Sequence, residues 1–303
     1  MGAASVPAVQ TGETTMKVLR TAFLLTALTL LLLLLGQALG GANGMRIALG
    51  FAIFSNAIAY FFSDKIALWS SGAQAVEREQ IPRLYEVMER LAAKAGLPVP
   101  KLYVIPEAAP NAFATGRSPR HASVAVTQGL LQLMNDEELE GVIAHELSHV
   151  RNYDILISSI AATIAGAVTY MARFGYWAQL FGYGGGSRDE ERQGGGLTAM
   201  LMLFLAPFAA LLLQLGISRQ REFAADETGA KMVGQPYGLI SALQKLGAYN
   251  QRIPSNIPQT TSALCIVKPF FGSGSMFANL FSTHPPLEER IAALREMVIT
   301  RQG

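Results

Sequence analysis

The stretch AHELSHVRNYD, residues 144–154, contains residue types at the spacing needed to bind and use a metal ion. His145 and His149 are four residues apart, so in a helix both imidazoles lie on one face and can bind the same zinc ion. Glu146 follows the first histidine, where its carboxylate can accept a proton from a water molecule that the metal activates. The chain has only four histidines, and two fall in this H-E-x-x-H pattern. The pattern predicts one catalytic Zn²⁺ per chain, with Glu146 as general base.

A catalytic zinc takes a third protein ligand and keeps one position open. Position 155 is an isoleucine, which excludes the pattern that places a third histidine six residues after His149. The one cysteine, Cys265, is interpreted as an apolar core residue. Glu222, in the later stretch SRQREFAADETGA, is the candidate third ligand, and Asp226 on the same helix face can orient a ligand histidine. An ordinary acidic helix start explains the same two residues, and their spacing alone leaves that alternative open.

Long apolar runs flank the motifs that carry these residues. Charged residues make up 15% of the chain, whereas soluble domains carry about 25%. Each run approaches the roughly 18 to 20 residues that span a bilayer. We therefore expect a mostly α membrane protein of the α+β type with four transmembrane helices, although a buried core hairpin is an alternative for the last two. The runs are residues 21–39, 45–62, 155–172 and 197–217.

Basic residues near the ends of these runs predict the orientation of the chain, because lysine and arginine accumulate on the cytoplasmic side. They predict a multi-pass protein of the cell inner membrane with both termini and the metal site in the cytoplasm. Since the two metal-binding segments border the third and fourth runs, a membrane hairpin there would bring them together at the membrane surface. The basic residues are Lys17, Arg20, Lys65, Arg151, Arg219 and Arg221.

Residues between the runs are expected to form a zincin-like cytoplasmic metalloprotease domain with a small β-sheet. A stripe of apolar residues within 77–95 predicts a helix, and KLYVIP, NAFATG and ASVAVT read as short strands. Asn135 and Glu138 form a capping-box pattern at the start of the H-E-x-x-H helix. The predicted organisation is a disordered tail (1–20), a membrane hairpin (21–62), a first catalytic part (63–154), a second hairpin (155–217) with an outer loop (173–196), and a second catalytic part (218–303).

Four stretches give the chain a family resemblance; in chain order they are NAFATG, HELSHVRNYD, SRQREFAAD and FSTHPPLEERI. The chain resembles the HtpX family of bacterial membrane zinc endopeptidases over nearly its whole length from about Met16, and more distantly the CAAX prenyl proteases. The resemblance implies that His145, His149 and Glu222 bind zinc and that Glu146 is the general base. It also implies proteolytic quality control of membrane proteins.

Other residues are weaker candidates for the site. His284 precedes a Pro-Pro pair and can stabilise the oxyanion of the transition state with Arg290 behind it, although a helix-capping histidine is equally consistent. Asn152 and Asp154 can support the ligands through hydrogen bonds. An edge strand is predicted to pair with extended substrate, with an ordinary strand as the alternative. Its residues are Asn111, Ala112, Phe113 and Ala114.

Two other functions compete with a peptidase. A structural metal site in an inactive protein would have no use for Glu146, and a transporter would carry ionisable groups inside its spans. The net charge of +2 gives no reason to expect nucleic acid. We therefore expect membrane-protein and unfolded polypeptide substrates and contact with the lipid bilayer. The sequence leaves the oligomeric state open.

Overall fold

The computed structural model describes residues 11–164, 219–250, 252–258, 261–270 and 285–302. The predicted outer loop, the fourth apolar run and His284 lie outside these residues. The described part is mostly helical with one small mixed sheet. Its elements are α1 (Thr11–Ser70), β1 (Gln74–Ala75), α2 (Pro82–Ala95), β2 (Lys101–Ile105), β3 (Ala112–Gly116), β4 (Ala122–Thr127), α3 (Gln128–Leu133), α4 (Asp136–Arg151), α5 (Asp154–Ile164), α6 (Arg219–Val233), α7 (Tyr237–Asn250) and α8 (Leu287–Gln302), with short 3-10 helices at Pro119–His121 and Thr261–Leu264.

Helix α1 folds back on itself near Gly41. Asn56 Nδ2 donates to Thr29 Oγ1 at 2.8 Å, whereas 27 residues of straight helix would span about 40 Å. Gly41 has φ 58° in the turn, a conformation that glycine adopts without strain. Residues 11–70 therefore form two helical arms packed side by side.

The described residues include one helical segment, Gly41–Ser70, that is long and apolar enough to cross a membrane. The shorter segments Thr21–Leu34 and Asp154–Ile164 are also apolar. The four transmembrane helices expected from the sequence are not confirmed, because part of the third apolar run and all of the fourth lie outside the described residues. The mostly helical fold with a small sheet agrees with the expectation.

The sheet has the strand order β1-β2-β4-β3, so β3 is an edge strand. Strand β4 pairs with β2 in parallel and with β3 in antiparallel orientation. Alternation along β3 places Ala112 and Ala114 in the main core with α4, whereas Phe113 packs in a second cluster with Leu68 of α1 and Cys265. One face of the edge strand therefore lies on the H-E-x-x-H helix, and the other lies on the end of α1.

Helix α4 is the central element, packed chiefly against α6, α7 and α2. Its predicted capping box is confirmed, because Asn135 Oδ1 accepts from Glu138 N and Glu138 Oε2 accepts from Asn135 N, both at 2.9 Å. Glu138 also binds Ser241 at 2.6 Å and Lys245 at 2.7 Å, which holds α7 against α4. Gly229 lets α6 approach closely, since a Cβ there would lie 3.0 Å from His145 N.

A turn separates α4 from the apolar segment that follows it. Helix α4 ends at Arg151, Asn152 caps it, and Tyr153 adopts a positive φ of 58°. Helix α5 begins at Asp154. The H-E-x-x-H helix therefore does not continue directly into the third apolar run. The turn directs the Asp154 side chain back toward the end of α4.

Candidate metal centre

Three predicted metal ligands converge between α4 and α6. One candidate ligand atom from each of His145, His149 and Glu222 lies within 4.8 Å of the other two. The two histidine Nε2 atoms are 3.2 Å apart, close to the roughly 3.3 Å that separates two ligands bonded at 2.0–2.1 Å to a tetrahedral zinc. The Glu222 oxygens lie 3.7 Å from His145 Nε2 and 3.5 Å from His149 Nε2. The donor set and its spacing fit a zinc ion.

His145 is held in the orientation that a ligand needs. Its Nδ1 lies 2.8 Å from Asp226 Oδ1, so Nδ1–H donates to Asp226 and the Nε2 lone pair points toward the cluster. Burial lowers the pKa of His145 and outweighs the opposite effect of Asp226. A neutral imidazole is the form that binds a metal.

Arg290 of α8 holds Asp226 from the other side. Its Nε and Nη2 donate to the two Asp226 oxygens, each at 2.7 Å, and its Nη1 donates to Ile266 O at 2.7 Å. Burial raises the pKa of Asp226, but Arg290 and His145 outweigh it and lower the pKa. The carboxylate therefore stays ionised in a fully buried position. The structure brings Asp226 and Arg290 together beside the predicted ligands, whereas the sequence had predicted Arg290 behind His284, which lies outside the described residues.

His149 is oriented by Asp154, the residue after the turn. Its Nδ1 lies 3.3 Å from Asp154 Oδ2, and Arg221 Nη1 lies 3.8 Å from Asp154 Oδ1. Burial lowers the pKa of His149, but the neighbouring carboxylates, led by Asp154, outweigh it and raise the pKa to about 9. This surplus of negative charge favours a cation, and a divalent metal would displace the proton. Asn152 instead caps α4, its backbone N–H bonding to Ser148 O.

Glu146 is buried with neither carboxylate oxygen hydrogen-bonded to any residue that the structure describes. Burial raises its pKa to about 7, although His149, Arg290 and the Ala114 backbone act in the opposite direction. Unpartnered buried carboxylates are costly and rare. Glu146 lines a cleft with His149, Glu222, Ala114 and Leu264. It can therefore exchange a proton with a molecule bound in the cleft.

Only Ala114 of the four predicted substrate-binding residues lines this cleft. Asn111 is buried and its Nδ2 donates to Val267 O at 2.8 Å, while Ala112 O accepts from Ile266 N at 2.9 Å. The Phe113 side chain is fully buried in the cluster with α1. No sequence signal had indicated that residues 266 and 267 would contact the edge strand. His284 is outside the described residues.

Comparison with known proteins identifies the class and family of this chain. The sequence profile of Peptidase family M48 matches residues 78–298. The "Protease HtpX homolog" of Desulfatibacillum aliphaticivorans is 52% identical over 276 residues, covering 91% of this chain and 88% of that protein. The "Protease HtpX homolog" of Pyrococcus furiosus is 48% identical over 282 residues, covering 92% and 96%. The chain is a metallopeptidase. It belongs to peptidase family M48, and the predicted resemblance to HtpX proteases is confirmed.

Among solved structures, the crystal structure of S. mikatae Ste24p is similar, with a TM-score of 0.49 and 20% sequence identity. The similarity covers 93% of this chain and 66% of that one, so this chain spans just under two thirds of its length.

The unpartnered Glu146 predicts a pH-dependent stability difference in chelator-treated protein. Its pKa is about 7 when folded against an ordinary value of 4.5, so unfolding releases its proton and wild-type stability falls as pH rises from 4.5 through 7. Glu146→Gln abolishes this titration. Thermal unfolding should show similar Tm values near pH 4.5 and a Tm several degrees higher for Glu146→Gln at pH 8. A difference in Tm between wild type and Glu146→Gln that does not change with pH would show that titration of Glu146 is not its cause.

Proposed function

We propose that this metallopeptidase is a zinc-dependent endopeptidase that cleaves membrane proteins and unfolded polypeptides at the cytoplasmic face of the cell inner membrane. The observation that carries the proposal is the position of Glu146, a buried carboxylate without a hydrogen-bond partner among the described residues, beside three converging metal-ligand side chains. Membership in a peptidase family decides against a transporter.

His145, His149 and Glu222 would hold the zinc ion. When bound there, zinc supplies a Lewis acid that polarises the substrate carbonyl and the attacking water. Glu146 accepts a proton from that water and delivers it to the departing amine nitrogen. Its burial supports this role, since a pKa raised toward neutrality lets one carboxyl group both accept and donate a proton near pH 7.

The supporting residues fix the orientation of the two histidine rings. Asp226 fixes the tautomer of His145, and Arg290 keeps Asp226 ionised and in place. Asp154 has the corresponding contact with His149. From the sequence, His284 is proposed to stabilise the oxyanion and Asn152 to support the ligand helix as its cap.

Ala114 is proposed as the position where substrate pairs with the enzyme. It belongs to an edge strand and lines the cleft beside Glu146. An extended peptide added to this edge would pass the candidate metal centre. Asn111, Ala112 and Phe113 would then act by fixing the strand.

A membrane location is supported by the elements that contact the edge strand. Ala67 and Leu68 of α1 pack with Phe113, and Thr115 Oγ1 hydrogen-bonds Ser159 Oγ of α5 at 2.7 Å. Both helices are apolar, and α1 contains the segment long enough to span a bilayer. If α1 crosses the membrane, the cleft lies at its surface, where the cytoplasmic loops of damaged membrane proteins are within reach. This placement supports a role in membrane-protein quality control.

The direct test is casein cleavage by zinc-loaded enzyme in detergent. Glu146→Gln should retain one zinc per chain and lose activity by about 10²–10⁴-fold, the contribution that a general base typically makes. Glu137→Gln, an exposed acid on the same helix, is the matched control and should behave as wild type. Zinc binding without chelator-sensitive cleavage by wild type would favour a structural metal site. Loss of zinc from Glu146→Gln would contradict the assigned role.

The ligand assignment predicts two different losses of zinc affinity. Glu222→Ala removes a ligand and should abolish binding under competition from a strong chelator. Asp226→Asn keeps shape and volume but not charge, and should weaken binding by about 10–100-fold, as loss of a residue that orients a ligand does. Competitive titration with a zinc indicator measures both. Full zinc occupancy of Glu222→Ala under that competition would require another third ligand.

The orientation can be tested with single cysteines after Cys265→Ala. Ala42→Cys lies in the turn of α1, and Lys94→Cys lies near the end of α2; both positions are exposed. In intact cells an impermeant thiol reagent should label position 42 but label position 94 only after permeabilisation. Equal labelling at both positions in intact cells would show that α1 does not separate them by a membrane. The reverse pattern would invert the topology.

A further inference from the structure

The backbone groups of edge strand β3 face alternately toward β4 and away from it. Thr127 N donates to Asn111 O at 2.9 Å, so residue 111 faces β4. In an antiparallel pair the hydrogen-bonded and non-hydrogen-bonded positions alternate, so Phe113 and Thr115 also face β4. The N–H and C=O groups of Ala112, Ala114 and Gly116 therefore point away from the sheet, where another extended chain could pair with them.

The Ala112 position is already occupied by residues 261–268, here called the strap. Ile266 N donates to Ala112 O at 2.9 Å, and Ala112 N donates to Asn111 Oδ1 at 3.0 Å. The Asn111 amide holds the next strap residue, with Nδ2 donating to Val267 O at 2.8 Å. The strap thus takes the place that a substrate strand would need at this end.

The strap is fixed in the protein interior. The side chains of Ile266 and Val267 belong to the main core, and Ile266 O accepts from the buried Arg290 at 2.7 Å. Arg290 also holds Asp226 beside the metal ligands. The strap therefore contacts both the edge strand and Arg290, which supports the candidate metal centre.

Helix α5 covers the other end of the edge strand. Ser159 Oγ lies 2.7 Å from Thr115 Oγ1 and accepts from Gly116 N at 3.5 Å. Between the two ends, Ala114 remains. The Ala114 backbone interacts with the Glu146 carboxylate without a hydrogen bond of normal geometry, and both residues line the cleft.

We infer that the strap and α5 limit backbone pairing between enzyme and peptide substrate to the single residue Ala114. The inference rests on the proposed endopeptidase function and concerns its substrate class. One substrate residue donates its N–H to Ala114 O and accepts a hydrogen bond from Ala114 N–H. With its two neighbours, this residue makes an extended stretch of about three residues along the edge strand. Suitable substrates are polypeptides that expose such a short extended stretch. The edge strand makes no contact that selects the substrate sequence beyond this stretch.

The test is an ester scan of one cleavable peptide with wild-type enzyme. Each backbone N–H outside the scissile bond is replaced in turn by an ester oxygen, which removes a donor without adding bulk. A single position should lose about five- to tenfold in kcat/KM, the effect of one lost hydrogen bond to Ala114 O. Losses of that size at two or more positions spaced by two residues would show a longer paired strand and overturn the inference.

A strap variant tests the cause of the limit. Asn111→Ala removes the contacts to Val267 that hold the strap over the edge strand. Ala112 O should then become available to a substrate N–H in place of Ile266 N, so the scan should gain a second sensitive position two residues from the first. Asn256→Ala is the matched control, because Asn256 anchors the neighbouring loop to Glu107 without touching the edge strand. A folded Asn111→Ala enzyme with one sensitive position would contradict a limit set by the strap. If this variant does not fold, the wild-type scan decides.

Failure of this inference is distinguishable from failure of the proposed function. Chelator-sensitive cleavage that Glu146→Gln abolishes establishes the endopeptidase, whatever the scan shows. A scan with several sensitive positions on such an enzyme would overturn only the limit at Ala114.

Discussion

The buried ion pair between Arg290 and Asp226 is the interaction on which the arrangement of the site depends. Arg290 is fully buried in α8, and it binds Asp226 of α6 through two hydrogen bonds and the strap through Ile266 O. Asp226 in turn orients His145 of α4. Three helices and the strap therefore meet at one guanidinium group. Removing one partner of such a pair leaves an uncompensated buried charge, which costs about 3–5 kcal/mol.

Placing ionisable groups in an apolar core costs stability. In this chain, interactions between neighbouring groups offset the cost at some of these residues but not at others. Asp226 and Arg290 neutralise each other, and His145 is neutral. Glu146 has no comparable compensation among the described residues. The uncompensated group is the proposed base, so the stability cost falls at the residue that must stay available for proton transfer.

Local sequence signals predicted the part of the fold that positions the ligands. The apolar stripe Leu84, Val87, Met88 and Leu91 is buried in α2, and the three predicted strands are β2, β3 and β4. The capping box at Asn135 correctly marked the start of α4. Each of these signals depends on neighbouring residues. The convergence of Glu222 on the two histidines could be proposed because two separate motifs flanked the same pair of apolar runs.

Other features depend on contacts between distant segments. Helix α7 was missed, because its packing against α4 through Glu138 and Lys245 links residues far apart in sequence. The positive φ of Tyr153 was also missed, since glycine or asparagine usually marks such a turn. The strap gave no signal, because it contacts an edge strand 156 residues earlier in the chain. The edge-strand prediction therefore covered four residues where the described cleft exposes one.

X-ray absorption at the zinc edge of the loaded wild-type enzyme tests the central claim most directly. The claim is that His145, His149 and Glu222 hold a zinc ion and leave one position open. The account predicts a four-coordinate shell of nitrogen and oxygen at about 2.0–2.1 Å, with two imidazoles and no sulfur. A sulfur neighbour at about 2.3 Å, which Cys265 would have to supply, or a shell with fewer than two imidazoles, would contradict it.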